Sequence, residues 1–179
     1  MKLGGLRPVD DRRIVDRVLK GDTEAFNLLV QQWEKPIYNF IFRLIGDREE
    51  ALDLCQDSFM KAYRELATLK DRDRFSAWLY RIAHNTCYSR LRKDIGKTFV
   101  ELDPDVGPRA GGHRSLQVDS RLAVEKALRQ LPEEQRETVV LKVFHDLKFE
   151  EIAQIQGAPV STVKSRLYMG FEKLRSILE

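Results

Sequence analysis

The sequence predicts an all-α protein: two small helical domains joined by a flexible linker, the second ending in a helix-turn-helix. Three observations carry that prediction. Apolar residues recur at three- and four-residue spacing along most of the chain, the period of a helix with one buried side. No segment alternates in the manner of a half-buried strand. Between residues 94 and 117 the period fails, where Pro104, Gly107, Pro108, Gly111 and Gly112 cluster. This places an N-terminal domain over residues 10–93, the linker over 94–117 and a C-terminal domain over 118–179.

Composition agrees with a folded, water-soluble chain. Of 179 residues, 42% are hydrophobic and 33% charged, and the formal net charge is +3. No apolar run is long enough to span a bilayer, and MKLGGLRPVDDRR lacks the apolar core of a signal peptide, so a cytoplasmic location is expected. Cys55 and Cys87 lie inside predicted helices rather than in a metal-binding pair, and His84, His113 and His145 are scattered. Neither a disulfide, a metal nor a cofactor is expected.

In the first domain, Asp10 or Asp11 caps a short helix carrying Ile14, Val15 and Val18, and Gly21 ends it. Asp22 or Thr23 opens a longer helix to about Ile45, lined by Phe26, Leu29, Ile37, Phe40, Ile41 and Leu44. Pro36 should kink or divide it. A third helix runs from Arg48 to about Ala67. Ala51, Leu54, Cys55, Phe59, Ala62 and Leu66 can line its buried side, leaving Asp53, Gln56, Asp57, Met60 and Lys61 for a solvated face or a docking face. After the charged loop LKDRDR, a helix opening at Phe75 or Ser76 reaches Lys93. Phe75, Trp78, Leu79, Ile82 and Ala83 form one side, and the basic Arg81, Arg90 and Arg92 are interleaved with Tyr80, His84, Asn85 and Tyr88. Basic groups meet phosphates and aromatic rings stack on unpaired bases, although Trp78 reads better as core.

The second domain opens with a helix bearing Leu122, Val124, Ala127, Leu128 and Leu131. Pro132 starts the next, with Glu133 and Glu134 in its first turn and Val139, Val140, Val143 and Phe144 as its apolar side. His145-Asp146 breaks it. Phe149 to Ile155 forms another helix. Gly157 supplies a left-handed turn, Ser161 is the expected N-cap of the last helix, and Val163, Leu167, Phe171, Leu174 and Leu178 form its inward stripe. Ser161, Thr162, Lys164, Ser165 and Tyr168 then face outward, the layout of a helix-turn-helix that reads the major groove. The chain carries no phosphate loop and no paired acid and base. His84 and Cys87 lie three apart without a third orienting group, so no enzyme is expected.

Taken together, three fragments resemble the extracytoplasmic-function (ECF, group IV) sigma factors of bacterial RNA polymerase. They are DTEAFNLLVQQWEKPIYNFIFRLIGDREEALDLCQDSFMKAYREL, RFSAWLYRIAHNTCYSRLRK and LPEEQRETVVLKVFHDLKFEEIAQIQGAPVSTVKSRLYMGFEKLR. The resemblance implies a factor that binds core RNA polymerase, directs it to promoters and helps open them. It implies that Asp53, Gln56, Asp57 and Phe59 or Met60 dock the polymerase clamp. Lys70, Arg72, Arg74, Phe75, Tyr80, Arg81 and Asn85 would lie near the minus-ten strand, where a flipped base is captured. Ser161, Thr162, Lys164, Ser165 and Arg166 would lie at the minus-thirty-five element, with Lys164 the leading base contact and Arg166 on phosphate or bracing the fold.

The family also implies an anti-sigma partner, often membrane-tethered, without insertion of this chain into the membrane. Because the sequence stops just after the recognition helix, no further control domain is expected. The pattern departs at Met169-Gly170, where relatives often carry a basic residue followed by alanine, which puts a contact at that turn in question. The alternative is a helix-turn-helix regulator that binds duplex operator DNA without acting as a sigma subunit. It has no need of both the Asp53–Gln56 helix and the Trp78–Lys93 helix.

Overall fold

The computed structural model describes residues 10–95 and 116–179, and every regular element in them is helical. The expected loose start, residues 1–9, and most of the expected linker lie outside the described residues. The flanking helices extend slightly into the linker range, to Ile95 and from Leu116.

Local chemistry sets most boundaries. Helix α1 (Asp11–Leu19) is capped by Asp10, whose carboxyl accepts from the Arg12 amide. After Gly21, held at a φ of 103°, Asp22 caps a short 3₁₀ turn by accepting from the Ala25 amide. Helix α2 (Phe26–Ile45) is one continuous helix through Pro36, so of the kink and the division expected there, the division does not occur. Gly46, with φ 86°, ends it. Asp47 caps α3 (Arg48–Glu65) through the Glu50 amide, and α4 spans Phe75–Ile95.

The second domain holds α5 (Leu116–Arg129), α6 (Glu133–Val139), α7 (Phe149–Gln156) and α8 (Val160–Leu178). Glu151 accepts from the Lys148 amide at 2.7 Å to close the start of α7, and Gly157 takes the left-handed φ of 61° between α7 and α8. Helix α8 starts two residues earlier than the sequence suggests. Pro159 is its N-cap, and Ser161 lies inside the first turn.

Two apolar stripes differ from expectation, each for a backbone reason. After Val139, α6 loosens into a π-helical turn over Val140–Phe144. The changed period buries Leu141 beside Val140 and leaves Val143 and Phe144 exposed. Phe144 instead lies under the Arg43 guanidinium, 4.2 Å from the ring centre. In α8, Val163 is buried, Leu167 and Leu174 are half-buried, and Phe171 and Leu178 are exposed. Gly170 takes the buried place on this seam, because α8 crosses α6 there. A Cβ on Gly170 would stand 2.9 Å from Val139 Cγ2.

The core is not divided in two. Phe40, Ile41, Leu79 and Tyr80 of the first domain share one apolar cluster with Val140, Leu141, Leu147, Ile152, Ile155 and Val163 of the second. Leu128, Leu131 and Val139, backed by Leu167 and Leu174, form a small separate cluster. At the junction the Tyr80 hydroxyl is 2.7 Å from His145 Nδ1, and the Phe40 ring meets both of these rings edge-on. Burial, then the nearby Arg43 charge, lowers the His145 pKa to about 4. The protonated ring would carry N–H on both nitrogens, and Nε2 is buried with no hydrogen-bond partner.

Two predictions follow from these contacts. Gly170→Ala should lower the urea midpoint. Alanine gains roughly 1 kcal/mol of helix propensity, but overpacking against the rotamer-restricted Val139 costs about 1–3 kcal/mol. A raised midpoint would mean that the helices separate freely. The second concerns acid. Between the ordinary histidine pKa and about 4, the unfolded chain holds a proton at His145 that the folded chain refuses. Stability should therefore fall as pH drops from about 6.5 toward 4, and His145→Gln should flatten that part of the pH profile measured by urea unfolding.

Candidate protein and nucleic-acid interfaces

Helix α3 buries Ala51, Leu54, Cys55, Ser58, Phe59 and Ala62. Its outer face carries Asp53, Gln56 and Asp57, all exposed. Between them runs an apolar stripe. Leu52 is 50% exposed, Met60 53% and Tyr63 45%, at positions that share one side of the helix with Gln56. Beside it, α2 and α3 form a groove of about 240 Å³ lined by Glu34, Lys35, Tyr38, Leu52, Cys55 and Gln56. Water gives no reason for this stripe, whereas a protein partner does. Phe59 is withdrawn from that face: it points inward and is buried, so Met60 is the exposed apolar group. Leu52, Tyr63 and Tyr38 were missed in the sequence because each fits a core-facing period as well as a surface one.

The basic loop before α4 is ordered by short-range pairs. Asp71 caps its 3₁₀ turn (Arg72–Arg74) through the Asp73 amide. Arg72 pairs with Asp16, Asp73 with Arg12, and Arg74 with Asp71. Lys70 and Arg74 are exposed, as are Arg81 and Asn85, about two and three turns into α4. These four are the exposed basic and amide groups among the residues expected near the minus-ten strand. Phe75 and Tyr80 are not among them. Phe75 is buried against Trp33 and Trp78, and Tyr80 is buried against Trp33, Phe40 and His145. Burial raises the Tyr80 pKa, so its phenol stays neutral.

On α8, Ser161, Lys164 and Ser165 are exposed and Thr162 is half-buried. The Lys164 ammonium lies 5.5 Å from the Phe149 ring centre, which holds its stem across the mouth of the turn. Arg166 is differently placed. It bridges Glu134 Oε2 at 2.6 Å and Gln156 Oε1 at 3.1 Å, and is largely buried. It ties α8 to α6 and α7 and has few donors left for DNA.

Comparison with known proteins agrees with this geometry. Residues 29–94 match the model of Sigma-70 region 2, and residues 121–174 match that of Sigma-70, region 4. The chain is 33% identical to the RNA polymerase sigma-H factor of Pseudomonas aeruginosa, over 94% of each chain. It is 32% identical to the ECF RNA polymerase sigma factor SigW of Bacillus subtilis, over 93% of this chain and 96% of that one. It belongs to the ECF sigma factors.

Solved relatives share the fold of this sigma factor across both domains. CnrH, in complex with the cytosolic domain of CnrY, superposes with a TM-score of 0.72 at 25% identity, covering 94% of this chain and 97% of that one. The sigma factor RpoE, in complex with the anti-sigma factor NepR from Bartonella quintana, gives 0.69 at 28% identity, covering 86% and 96%. The region 2 match decides against a plain helix-turn-helix regulator, which would need only the second domain. Sigma factors as a class are not enzymes. No helix among the described residues is long and apolar enough to cross a membrane.

The bracing role of Arg166 is directly checkable. Arg166→Ala should lower stability by about 1 kcal/mol, read as a urea midpoint, whereas Lys164→Ala should leave the midpoint unchanged. Equal effects from the two would remove the distinction between brace and reader.

Proposed function

We propose that this sigma factor docks core RNA polymerase through the exposed α3 stripe and reads a two-part promoter with the basic loop before α4 and the N-terminal half of α8. The observation that carries the reading is the pattern on α3. Leu52, Met60 and Tyr63 are apolar and exposed beside Asp53, Gln56 and Asp57, which gives a partner both an apolar seat and polar contacts that fix orientation.

Lys70, Arg74, Arg81 and Asn85 track the minus-ten strand. Lys70 and the arginines meet phosphate, and Asn85 supplies an amide to a base edge. Arg72 belongs to the scaffold of that loop through Asp16. At the upstream element Lys164 reads a base, with Ser161, Thr162 and Ser165 on base edge or phosphate. The chain acts in the cytoplasm without a cofactor, and the energy of promoter opening comes from binding. An anti-sigma factor holds it in reserve by covering the α3 stripe, as suggested by relatives solved in complexes of that kind.

Initiation assays test each assignment. Purified protein, bacterial core polymerase and a promoter library should give specific starts that share two upstream elements. Asp53→Ala with Gln56→Ala should weaken polymerase binding at least about tenfold; unchanged affinity would remove α3 from the interface. Lys164→Ala should reduce initiation about tenfold on the preferred upstream element and little on a mismatched one. Equal losses on both would assign Lys164 to the backbone.

A further inference from the structure

Helix α1 carries none of the functional residues assigned above. It precedes residue 29, where the match to Sigma-70 region 2 begins. Its underside, Ile14, Val15 and Val18, is buried in the core. Its first turn is fixed by Asp11, whose Oδ1 accepts from Gln32 Nε2 at 2.8 Å and from Trp33 Nε1 at 3.0 Å. The Trp33 ring in turn meets Phe75 edge-on at the start of α4. The helix is thus a firm seat beside the basic loop.

The side of α1 that faces the loop is charged. Arg12 Nη1 donates to Asp73 Oδ2 at 3.3 Å, and Asp16 pairs with Arg72 Nε. That nitrogen is buried with no acceptor in line for a hydrogen bond, so the Asp16 contact acts through charge rather than direction. Arg12 and Asp16 lie one helical turn apart, and their partners are consecutive in the loop. The loop reads Asp71-Arg72-Asp73-Arg74, alternating in sign. A slip of one residue either way would set Arg12 against an arginine and Asp16 against an aspartate. Only the observed register brings opposite charges together at both places.

Neither pair holds the domain together. The Asp16 and Arg72 side chains are 40% exposed and those of Arg12 and Asp73 more so, and exposed pairs add little to global stability. The ends of the loop are fixed independently, because Leu69 and Phe75 are buried. What the pairs decide is the pose of the residues between those ends. Arg72 is drawn onto α1, while Lys70 and Arg74 are left outside.

We propose that Arg12 and Asp16 are positioning residues for minus-ten reading, which set the loop in the register that turns Lys70 and Arg74 toward the strand. The proposal rests on the promoter assignment above. Initiation by the full chain with core polymerase tests it, on templates that vary the minus-ten element and keep the upstream element constant. Arg12→Gln with Asp16→Asn releases both pairs. It should lower the ratio of initiation on the preferred minus-ten element to that on single mismatches by at least about threefold, the scale that two exposed pairs can hold. The upstream preference, the affinity for core polymerase and the urea midpoint should stay at parental values. Arg12→Lys with Asp16→Glu keeps both charges and should keep the parental ratio. Arg72→Gln should lower the ratio about as much as Asp16→Asn, and the two combined should cost no more than either, because they break one contact.

A parental ratio in the released variant would show that these are solvated surface pairs that position nothing. A lowered ratio in the charge-keeping variant would overturn the register argument. A lower urea midpoint, weaker polymerase binding or a lost upstream preference would make α1 a support of the whole domain, and the positioning role would be wrong. Additive losses from Asp16→Asn and Arg72→Gln would assign Arg72 to the strand itself, against the proposal. A parent without any minus-ten preference would overturn the promoter assignment and this proposal with it, and that result shows before any variant is made.

Discussion

Helix α4 must be covered on two sides. One side, with Phe75, Leu79, Ile82 and Ala83, completes the core of the first domain. The other, with Tyr80, His84 and Tyr88, carries rings too large to leave in water and polar atoms too costly to bury alone. The second domain resolves this by supplying His145 to Tyr80 and Glu137 to His84 and Tyr88. Much of the remaining architecture depends on this contact. The π-helical turn places Leu141 inward beside it, and Val140, Ile152 and Ile155 join the larger core rather than building one of their own.

The surfaces proposed for function lie around that contact rather than within it. The α3 stripe, the exposed residues of the basic loop and the outer face of α8 all point to solvent. The contact itself joins two kinds of chemistry. Val140, Leu141, Ile152 and Ile155 bury apolar surface against the first domain, and Tyr80, His84 and Tyr88 fix the register with hydrogen bonds.

Much of this was legible in the sequence. Three-and-four spacing located most helices of the described residues closely, Gly157 announced the turn of the helix-turn-helix, and Asp10, Asp22 and Asp47 showed as caps or breaks. What was hidden has physical causes. A helix buried on two sides by different chemistries shows little amphipathic period, so Tyr80 read as a surface aromatic. Gly170 read as a departure from the family pattern because only the crossing with α6 reveals why a side chain does not fit. Phe59 and Met60 are neighbours in sequence, and only the phase of α3 against α2 determines which is inside. Arg166 read as either a phosphate contact or a brace because its partners, Glu134 and Gln156, lie on other helices.

The α4 contact sets the relative placement of the two domains. It is read most directly as a distance between them in the full chain. Thr23→Cys and Ser176→Cys place spin labels on exposed sites of the two domains, while the buried Cys55 and Cys87 stay unlabelled. Burial also holds the Cys55 thiol pKa up, to about 11. One short, narrow distance in the free protein is expected. A broad distribution, or a distance too long for α4 to meet α6, would contradict the contact.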